Sequence, residues 1–250
     1  MYGAVIGDIA GSKYEFIANR KIPKTILDKD CFYTDDTVMT VAVADALLNQ
    51  KNITQTLKQY GRDYPGKGYG NSFGEWLVGK DTLPYFSFGN GAAMRVSAAA
   101  WMARTWSEAM YYATAVTMVT HNHPEGIKGA QATATAIYMA KNGYKKEDIR
   151  GYIETSFEYD LNFTCKSIRP FYQFDESCQN TVPQAIVAFL DSTSFDEAIK
   201  LAISLGGDAD TIGAITGAIA EAYYGVPKNV LKKVRTFLPD EFIEILDKIN

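Results

Sequence analysis

The chain is poor in the side chains that bind soft metals and form disulfide frameworks. Its 250 residues include only two histidines, His121 and His123, and three cysteines at positions 31, 165 and 178. No third soft ligand stands at a useful spacing from the histidines, which argues against a zinc site. An odd number of cysteines without metal-binding spacing predicts reduced, mostly buried thiols in a cytoplasmic protein.

An excess of positive charge and long apolar runs are also missing. The formal net charge is −4, which argues against a nucleic-acid partner, because nucleic-acid backbones attract basic surfaces. No apolar run is long enough to cross a bilayer. The apolar N-terminal segment is interrupted by Asp8 and follows no basic stretch, so the sequence predicts no signal peptide, no membrane partner and a cytoplasmic location.

Alternating strand patterns are scarce, and a helical period dominates. With 47% hydrophobic residues in 250, this pattern predicts one compact all-α domain over residues 1–250. Three helices rich in small residues, near residues 98–100, 130–136 and 213–222, are expected to be central. Residues 60–91 form the longest irregular stretch and are expected to line a site. The periodic segments are Val38–Leu48, Val96–Trp106, Ala109–Val119, Ile127–Met139, Val182–Leu190, Ala198–Leu205, Ile212–Tyr224, Leu231–Leu238 and Phe242–Ile249.

Two acidic clusters of similar build precede apolar helical stretches. One is Thr34-Asp35-Asp36-Thr37, and the other is Asp208-Ala209-Asp210-Thr211 after two glycines. Helix capping needs only one such side chain. Four carboxylates in one site would repel each other and raise their pKa values, unless divalent cations lay between them. Oxygen ligands favour magnesium, manganese or calcium over zinc, so we interpret the clusters as a metal site, with capping as the alternative.

Glycines at positions 3, 7 and 11 share one face of a predicted helix that ends just before Glu15. This spacing indicates close helix packing. Glu15 is then either a solvated charge or a carboxylate that reaches into a cleft as an acid or base.

A glycine loop, Gly89-Asn90-Gly91, precedes a further small-residue helix and is followed by Arg95. Free N–H groups of such a loop can cradle phosphate, although the same pattern is often only a turn. Arg95 could bind an anion, but an internal ion pair is the favoured interpretation.

The histidines stand in the segment Thr120-His121-Asn122-His123-Pro124. One interpretation is a helix C-terminus that Pro124 stops and that histidine stabilises through the helix dipole. The other is a ligand contact from His121.

Taken in order, these segments resemble the ADP-ribosylglycohydrolase family, which includes the hydrolase that reactivates dinitrogenase reductase. The matching pieces are Gly7-Asp8-x-x-Gly11-x-x-x-Glu15, Thr34-Asp35-Asp36-Thr37, Gly89-Asn90-Gly91 with Met94-Arg95, Thr120-His121, and Gly206-Gly207-Asp208-Ala209-Asp210-Thr211. The joint pattern is far more specific than any piece. The chain is shorter than many relatives, which leaves linkage specificity open.

The resemblance implies a compact all-α fold with two Mg²⁺ ions, or Mn²⁺ in their place. It makes Glu15 a neighbour of the metals at the distal ribose. It also implies that Gly89, Asn90, Gly91 and His121 line an ADP-ribose cleft. The metal ligands that it implies are Thr34, Asp35, Asp36, Asp208, Asp210 and Thr211.

The expected reaction is hydrolysis of a glycosidic bond, in which an oxocarbenium-like charge develops on the ribose. Glu15, or an unligated oxygen of Asp36 or Asp208, would act as the acid or base. The expected substrate is an ADP-ribosylated protein, most plausibly linked through arginine. Alternatives are a serine or acyl linkage, a small ADP-ribose derivative, and a non-catalytic module that binds ADP-ribose. A two-metal phosphoesterase is less favoured, because such sites usually include histidine ligands.

Overall fold

The computed structural model describes residues 1–17 and 21–249. These described residues form fifteen α-helices and one 3₁₀ turn, Arg235–Phe237. The helices are α1 Tyr2–Gly11, α2 Asp35–Leu48, α3 Ile53–Asp63, α4 Asn71–Val78, α5 Gly91–Met94, α6 Ser97–Met102, α7 Trp106–Met118, α8 Pro124–Lys141, α9 Lys146–Phe157, α10 Cys165–Ile168, α11 Cys178–Asp191, α12 Phe195–Ile203, α13 Ala209–Tyr224, α14 Lys228–Val234 and α15 Asp240–Asp247.

The all-α prediction is confirmed. Within the described ranges there is no strand, only an isolated antiparallel bridge between Gly89 and Ser177. The segment Val96–Trp106, predicted as one helix, is divided between α6 and α7. The division follows from capping: the side chain of Thr105 accepts a hydrogen bond from the backbone N–H of Glu108, which fixes a new helix start.

Two local predictions were wrong. Residues 60–91 are not irregular throughout, because α3 extends to Asp63 and α4 occupies Asn71–Val78. Pro124 does not stop a helix but begins α8, where its missing N–H removes no hydrogen bond. The side chain of His123 accepts a hydrogen bond from the backbone N–H of Glu125 and caps that helix.

Helices α1 and α13 touch through their backbones along a line that we call the glycine seam, formed by Gly3, Gly7 and Gly11 of α1 against Gly213 and Gly217 of α13. A Cβ atom added at Gly7 would lie 1.9 Å from the carbonyl oxygen of Gly213. One added at Gly3 would lie 2.1 Å from the carbonyl oxygen of Gly217. No side chain fits at this distance, so the close packing predicted from the spacing is confirmed.

Glu221 of α13 closes the outer end of the seam. Its carboxylate accepts hydrogen bonds from the backbone N–H groups of Tyr2 and Gly3, at 3.0 and 2.8 Å, and from the amino group of Met1. A carboxylate at a helix start satisfies free donors and complements the helix dipole. The seam is therefore fixed in register at this end.

One hydrophobic cluster extends from Met1 to Leu246 and surrounds α13, in which every residue from Ala209 to Glu221 is buried. The expectation that small-residue helices are central holds for α13, for Ala98–Ala100 of α6 and for α8, in which the small residues between Ala130 and Ala136 are buried. All three cysteines are buried and unpaired, as predicted. None of the helices in the described part of the chain is long and apolar enough to cross a membrane.

Candidate active site

The inner end of the glycine seam brings Glu15 next to Asp208 and Asp210. Glu15 follows α1 by a short turn, and the two aspartates stand at the start of α13. Carboxylate oxygens of the three residues lie within 4.8 Å of one another. Residues almost two hundred positions apart meet here because the two helices that carry them touch.

The second acidic cluster is attached to the same helix through Asp8. The buried carboxylate of Asp8 accepts hydrogen bonds from the backbone N–H groups of Thr34 and Thr37, both at 3.0 Å, and from both hydroxyl groups. Thr34 also caps α2 by accepting from the N–H of Asp36 at 3.2 Å. Helix α1 therefore holds both acidic clusters, one through Asp8 and one through the seam.

The two clusters face one cavity of about 520 Å³. The cavity wall is formed by Glu15 and the start of α13, by the start of α2, by residues 68–73 and by the glycine loop. Residues 60–91 thus line the site in part, as expected. The lining residues are Glu15, Asp35, Asp36, Gly68, Tyr69, Gly70, Asn71, Ser72, Phe73, Tyr85, Ser87, Gly89, Asn90, Gly91, Met94, Arg95, His121, Glu176, Asp208, Asp210 and Thr211.

All the residues that the sequence proposed for the site belong to this wall except Thr34. Its hydroxyl lies behind the wall, 2.7 Å from Asp8 Oδ1. Asp35, Asp36, Asp208, Asp210 and Thr211 line the cavity. Their roles as metal ligands, and that of Thr34, stay predictions.

We call the part of the cavity lined by Glu15 and the two acidic clusters the acid end, and several of its carboxyl groups resist ionisation. Burial, followed by the charges of Asp8 and Asp208, raises the pKa of Asp35 well above its usual value. Burial and the neighbouring Asp208 do the same for the pKa of Asp210. Burial, with Asp208 and Asp8 nearby, raises the pKa of Glu15 to about 7. These shifts are expected for carboxylates that crowd together without a counter-ion.

The donor set fits a divalent cation. The side-chain atoms that could bind a cation here are oxygens. The buried Oδ2 of Asp36 has no hydrogen-bond partner among the described residues. An unpartnered carboxylate oxygen in a buried site is costly unless a cation or donor compensates it. Carboxylate and hydroxyl oxygens are the ligands that magnesium and manganese prefer.

The glycine loop also lines the cavity and is tied to the acid end by Asn90. The Asn90 side-chain amide donates to Asp208 Oδ2 at 2.6 Å and to Thr181 Oγ1 at 3.1 Å. Both of its N–H groups are therefore engaged, and only its carbonyl oxygen is left to face a ligand. Asn90 orients Asp208, and its contact with substrate stays a prediction.

The ring of His121 packs against the glycine loop. A Cβ atom added at Gly91 would lie 3.1 Å from His121 Nε2. Arg95 lies deeper in the same wall and forms no ion pair with any described residue, because its only hydrogen bonds go to Val116 O and Thr120 Oγ1. The favoured interpretation of Arg95 as half of an internal ion pair was therefore wrong.

Sequence reasoning missed two acidic residues of the site. Asp8 matched a motif but received no role, although it anchors the second cluster. Glu176 had no local signal, since it belongs to the irregular stretch between α10 and α11. It lines the cavity, and burial with the charge of Asp208 raises its pKa.

Comparison with known proteins gives consistent results. The family model described as ADP-ribosylglycohydrolase matches residues 1–249. ADP-ribosylhydrolase ARH3 of Danio rerio is 24% identical, over 90% of this chain and 82% of the relative. ADP-ribosylarginine hydrolase Tri1 of Pseudomonas putida is 27% identical, over 94% of this chain and 72% of the relative. A solved ADP-ribosylglycohydrolase-related protein complex has the same fold, with a TM-score of 0.76 at 21% identity over 97% of this chain and 92% of that one.

Proposed function

Since this chain belongs to the ADP-ribosylglycohydrolase family and is a glycosidic bond hydrolase acting on ADP-ribose linkages, we propose that it is magnesium-dependent and releases ADP-ribose from arginine side chains of proteins. We also propose that residues 1–250 act as one domain. The observation that carries the proposal is the meeting of Glu15 with Asp208 and Asp210 in a cavity that the glycine loop and His121 also line.

The acid end is the proposed metal site. Asp35, Asp36, Asp208, Asp210 and Thr211, with Thr34 behind them, would hold two Mg²⁺ ions, or Mn²⁺ in their place. Ions bound there would supply Lewis acidity and lower the pKa of a bound water. This assignment explains why so many acids with raised pKa values are gathered around one space.

The carboxylate of Glu15 is the proposed acid or base, with Asp36 and Asp208 as the other candidates. It differs from the aspartates because it stands on a turn rather than at a helix start. Glu15 is half-buried, so its carboxylate can exchange a proton with solvent and still reach the cavity. It can deprotonate the attacking water or protonate the leaving group at the ribose anomeric carbon.

The proposed preference for arginine rests on the surroundings of Glu15 and Glu176. Phe16 follows Glu15, Phe174 precedes Glu176 by two residues, and the rings of Phe16 and Phe174 lie 4.9 Å apart. Phe16 is 73% exposed and Phe174 is 40% exposed. A guanidinium group binds carboxylates and stacks on aromatic faces, so this pairing suits a cationic leaving group. The name of the Pseudomonas relative, ADP-ribosylarginine hydrolase, is consistent with this choice.

The experiment compares kcat/KM on ADP-ribosyl-arginine, ADP-ribosyl-serine and acyl-linked ADP-ribose peptides, with magnesium, with manganese and with a chelator. We expect the arginine conjugate to react fastest and the chelator to abolish turnover. Glu176→Gln should lower kcat/KM for the arginine conjugate by about tenfold and leave the serine conjugate unchanged. Faster release of ADP-ribose from serine would contradict the preference for arginine but not the proposed metal site. Turnover that survives chelation would contradict the metal site.

Two further outcomes bear on the alternatives. Binding of ADP-ribose without turnover of any conjugate would indicate a non-catalytic ADP-ribose-binding module. Turnover of only a small ADP-ribose derivative would identify a metabolite rather than a protein as the substrate.

A further inference from the structure

Arg95 is fully buried and forms no ion pair with a described carboxylate. The charge of Asp35 acts on it from a distance, and its guanidinium carbon lies 5.8 Å from the centre of the Phe73 ring. Arg95 follows α5 directly, and its side chain is 0% exposed. Its Nη2 donates to Val116 O at 3.2 Å and to Thr120 Oγ1 at 2.5 Å, while Nε and Nη1 have no hydrogen-bond partner among the described residues. Burying a cation in this way is costly, which points to a use for the charge.

The hydroxyl of Thr120 contacts both Arg95 and His121 through hydrogen bonds. Its oxygen lies 2.8 Å from His121 Nδ1. A guanidinium can only donate, so Thr120 Oγ1 accepts from Arg95 and must place its own proton elsewhere. Thr120 is completely buried, and Nδ1 is the acceptor in reach among the described residues. The hydrogen bonds therefore run from Arg95 to Thr120 and from Thr120 to His121.

This direction fixes the protonation of the imidazole ring. Because Nδ1 accepts a hydrogen bond, the proton of the neutral ring sits on Nε2. Burial and the charge of Arg95 hold the pKa of His121 well below its usual range, so the ring stays neutral at physiological pH. Nε2 faces the glycine loop, where Cβ atoms added at Gly89 and Gly91 would lie 3.5 and 3.1 Å from it.

We propose that Arg95 and Thr120 are positioning residues that lock His121 as a neutral Nε2–H donor beside the glycine loop, directed at a phosphate oxygen of the ligand. The tautomer is independent of the ligand, whereas the phosphate assignment rests on the proposed function. A charged imidazolium would be buried and repelled by the charge of Arg95. The opposite tautomer would direct a lone pair at the phosphate and repel it. The two hydrogen bonds that run from Arg95 to Thr120 and from Thr120 to His121, which we call the relay, exclude both states.

Nitrogen-detected NMR of the imidazole side chains tests the tautomer directly. Only two histidines are present, and His123→Gln leaves His121 as the single signal. We expect Nε2 to be protonated and Nδ1 unprotonated, with no titration between pH 6 and 8. In Thr120→Val, which removes the hydroxyl and keeps the shape, the tautomers should mix.

Calorimetry with ADP-ribose and with Mg²⁺ tests the consequence for binding. Thr120→Val should bind ADP-ribose about tenfold more weakly, because a fixed donor to a charged group is lost. Its Mg²⁺ affinity should not change, and Thr120→Ser should restore both the tautomer and the ADP-ribose affinity. A purely structural role for the hydroxyl would move the melting temperature without moving the nitrogen shifts.

The proposal is overturned if wild-type His121 is protonated on Nδ1 or titrates near neutral pH. It is also overturned if Thr120→Val keeps both the Nε2–H tautomer and the ADP-ribose affinity. If the wild-type protein binds no ADP-ribose at all, the proposed function fails, and the NMR result still decides whether the relay exists.

Discussion

Helix α1 touches α13 through backbone atoms between Gly3 and Gly11. In contrast, a few residues further along the chain, Glu15 lies beside Asp210 at the edge of an open cavity. In the seam, atoms fit so closely that an added Cβ would overlap a carbonyl oxygen. In the cavity, buried carboxylates repel each other and have raised pKa values. The seam stabilises the fold, and the cavity opposes it. Mutations along one pair of helices should therefore separate stability from activity.

Filling the seam should have the largest effect. Gly7→Ala places a methyl group 1.9 Å from the carbonyl oxygen of Gly213, so the helices must move apart. We expect a loss of about 3 kcal/mol or more in the free energy of unfolding, measured by urea denaturation. Gly74→Ala in α4 is the matched control, because a Cβ there meets nothing within 4 Å. A Gly7→Ala protein as stable as this control would contradict the description of the seam.

Removing one charge from the cavity should have the opposite effect on stability. Asp210→Asn keeps the shape and relieves the repulsion from Asp208, so the protein in chelator should unfold at higher urea concentration than the wild type. Turnover in magnesium should fall about a hundredfold or more, because a proposed metal ligand is lost. Asp196→Asn, at the partly exposed start of α12, should leave turnover unchanged and lower stability only slightly, because it breaks a surface ion pair with Lys200. A loss of stability in chelator would show that Asp210 is structural.

Glu15→Gln should affect the chemical step alone. Glu15 is half-buried and stands on a turn outside the seam, so the melting temperature in the presence of magnesium should change little. If Glu15 is the acid or base, kcat should fall about a hundredfold or more, with Mg²⁺ affinity nearly retained. A variant with near-native kcat would transfer the role to Asp36 or Asp208.

The smallest expected effect is a pH dependence of stability in the metal-free protein. The pKa of Glu15 is raised to about 7 and that of Asp8 to about 6, chiefly by burial. The folded state therefore binds more protons than the unfolded state between about pH 4 and 7, and stability falls as the pH rises through this window. Melting temperatures in chelator should decrease from pH 5 to 8, and magnesium should restore the loss at pH 8. A rise in melting temperature with pH in chelator would contradict this.

The sequence predicted those features of the site that depend on the spacing of residues within one short segment. The glycines at 3, 7 and 11 predicted close packing, and the two acidic clusters at helix starts predicted a shared cavity. Contacts between distant segments left no local signal. Nothing near Asn90 shows that its amide binds Asp208, and nothing near Arg95 shows that it lacks a carboxylate partner. Glu176 was missed because its stretch has neither periodicity nor a motif.

The seam also restricts how the chain can change in length. Each residue of an α-helix advances the axis by about 1.5 Å and turns it by about 100°. Gly3, Gly7 and Gly11 present one face of α1 to α13, and Glu221 holds the start of that helix in place. A single-residue insertion or deletion within α1 would turn side chains larger than glycine into the seam, and it would also rotate the following Glu15 away from Asp210. We therefore expect length changes near this part of the site to be tolerated within residues 21–33, which form no helix, rather than within α1.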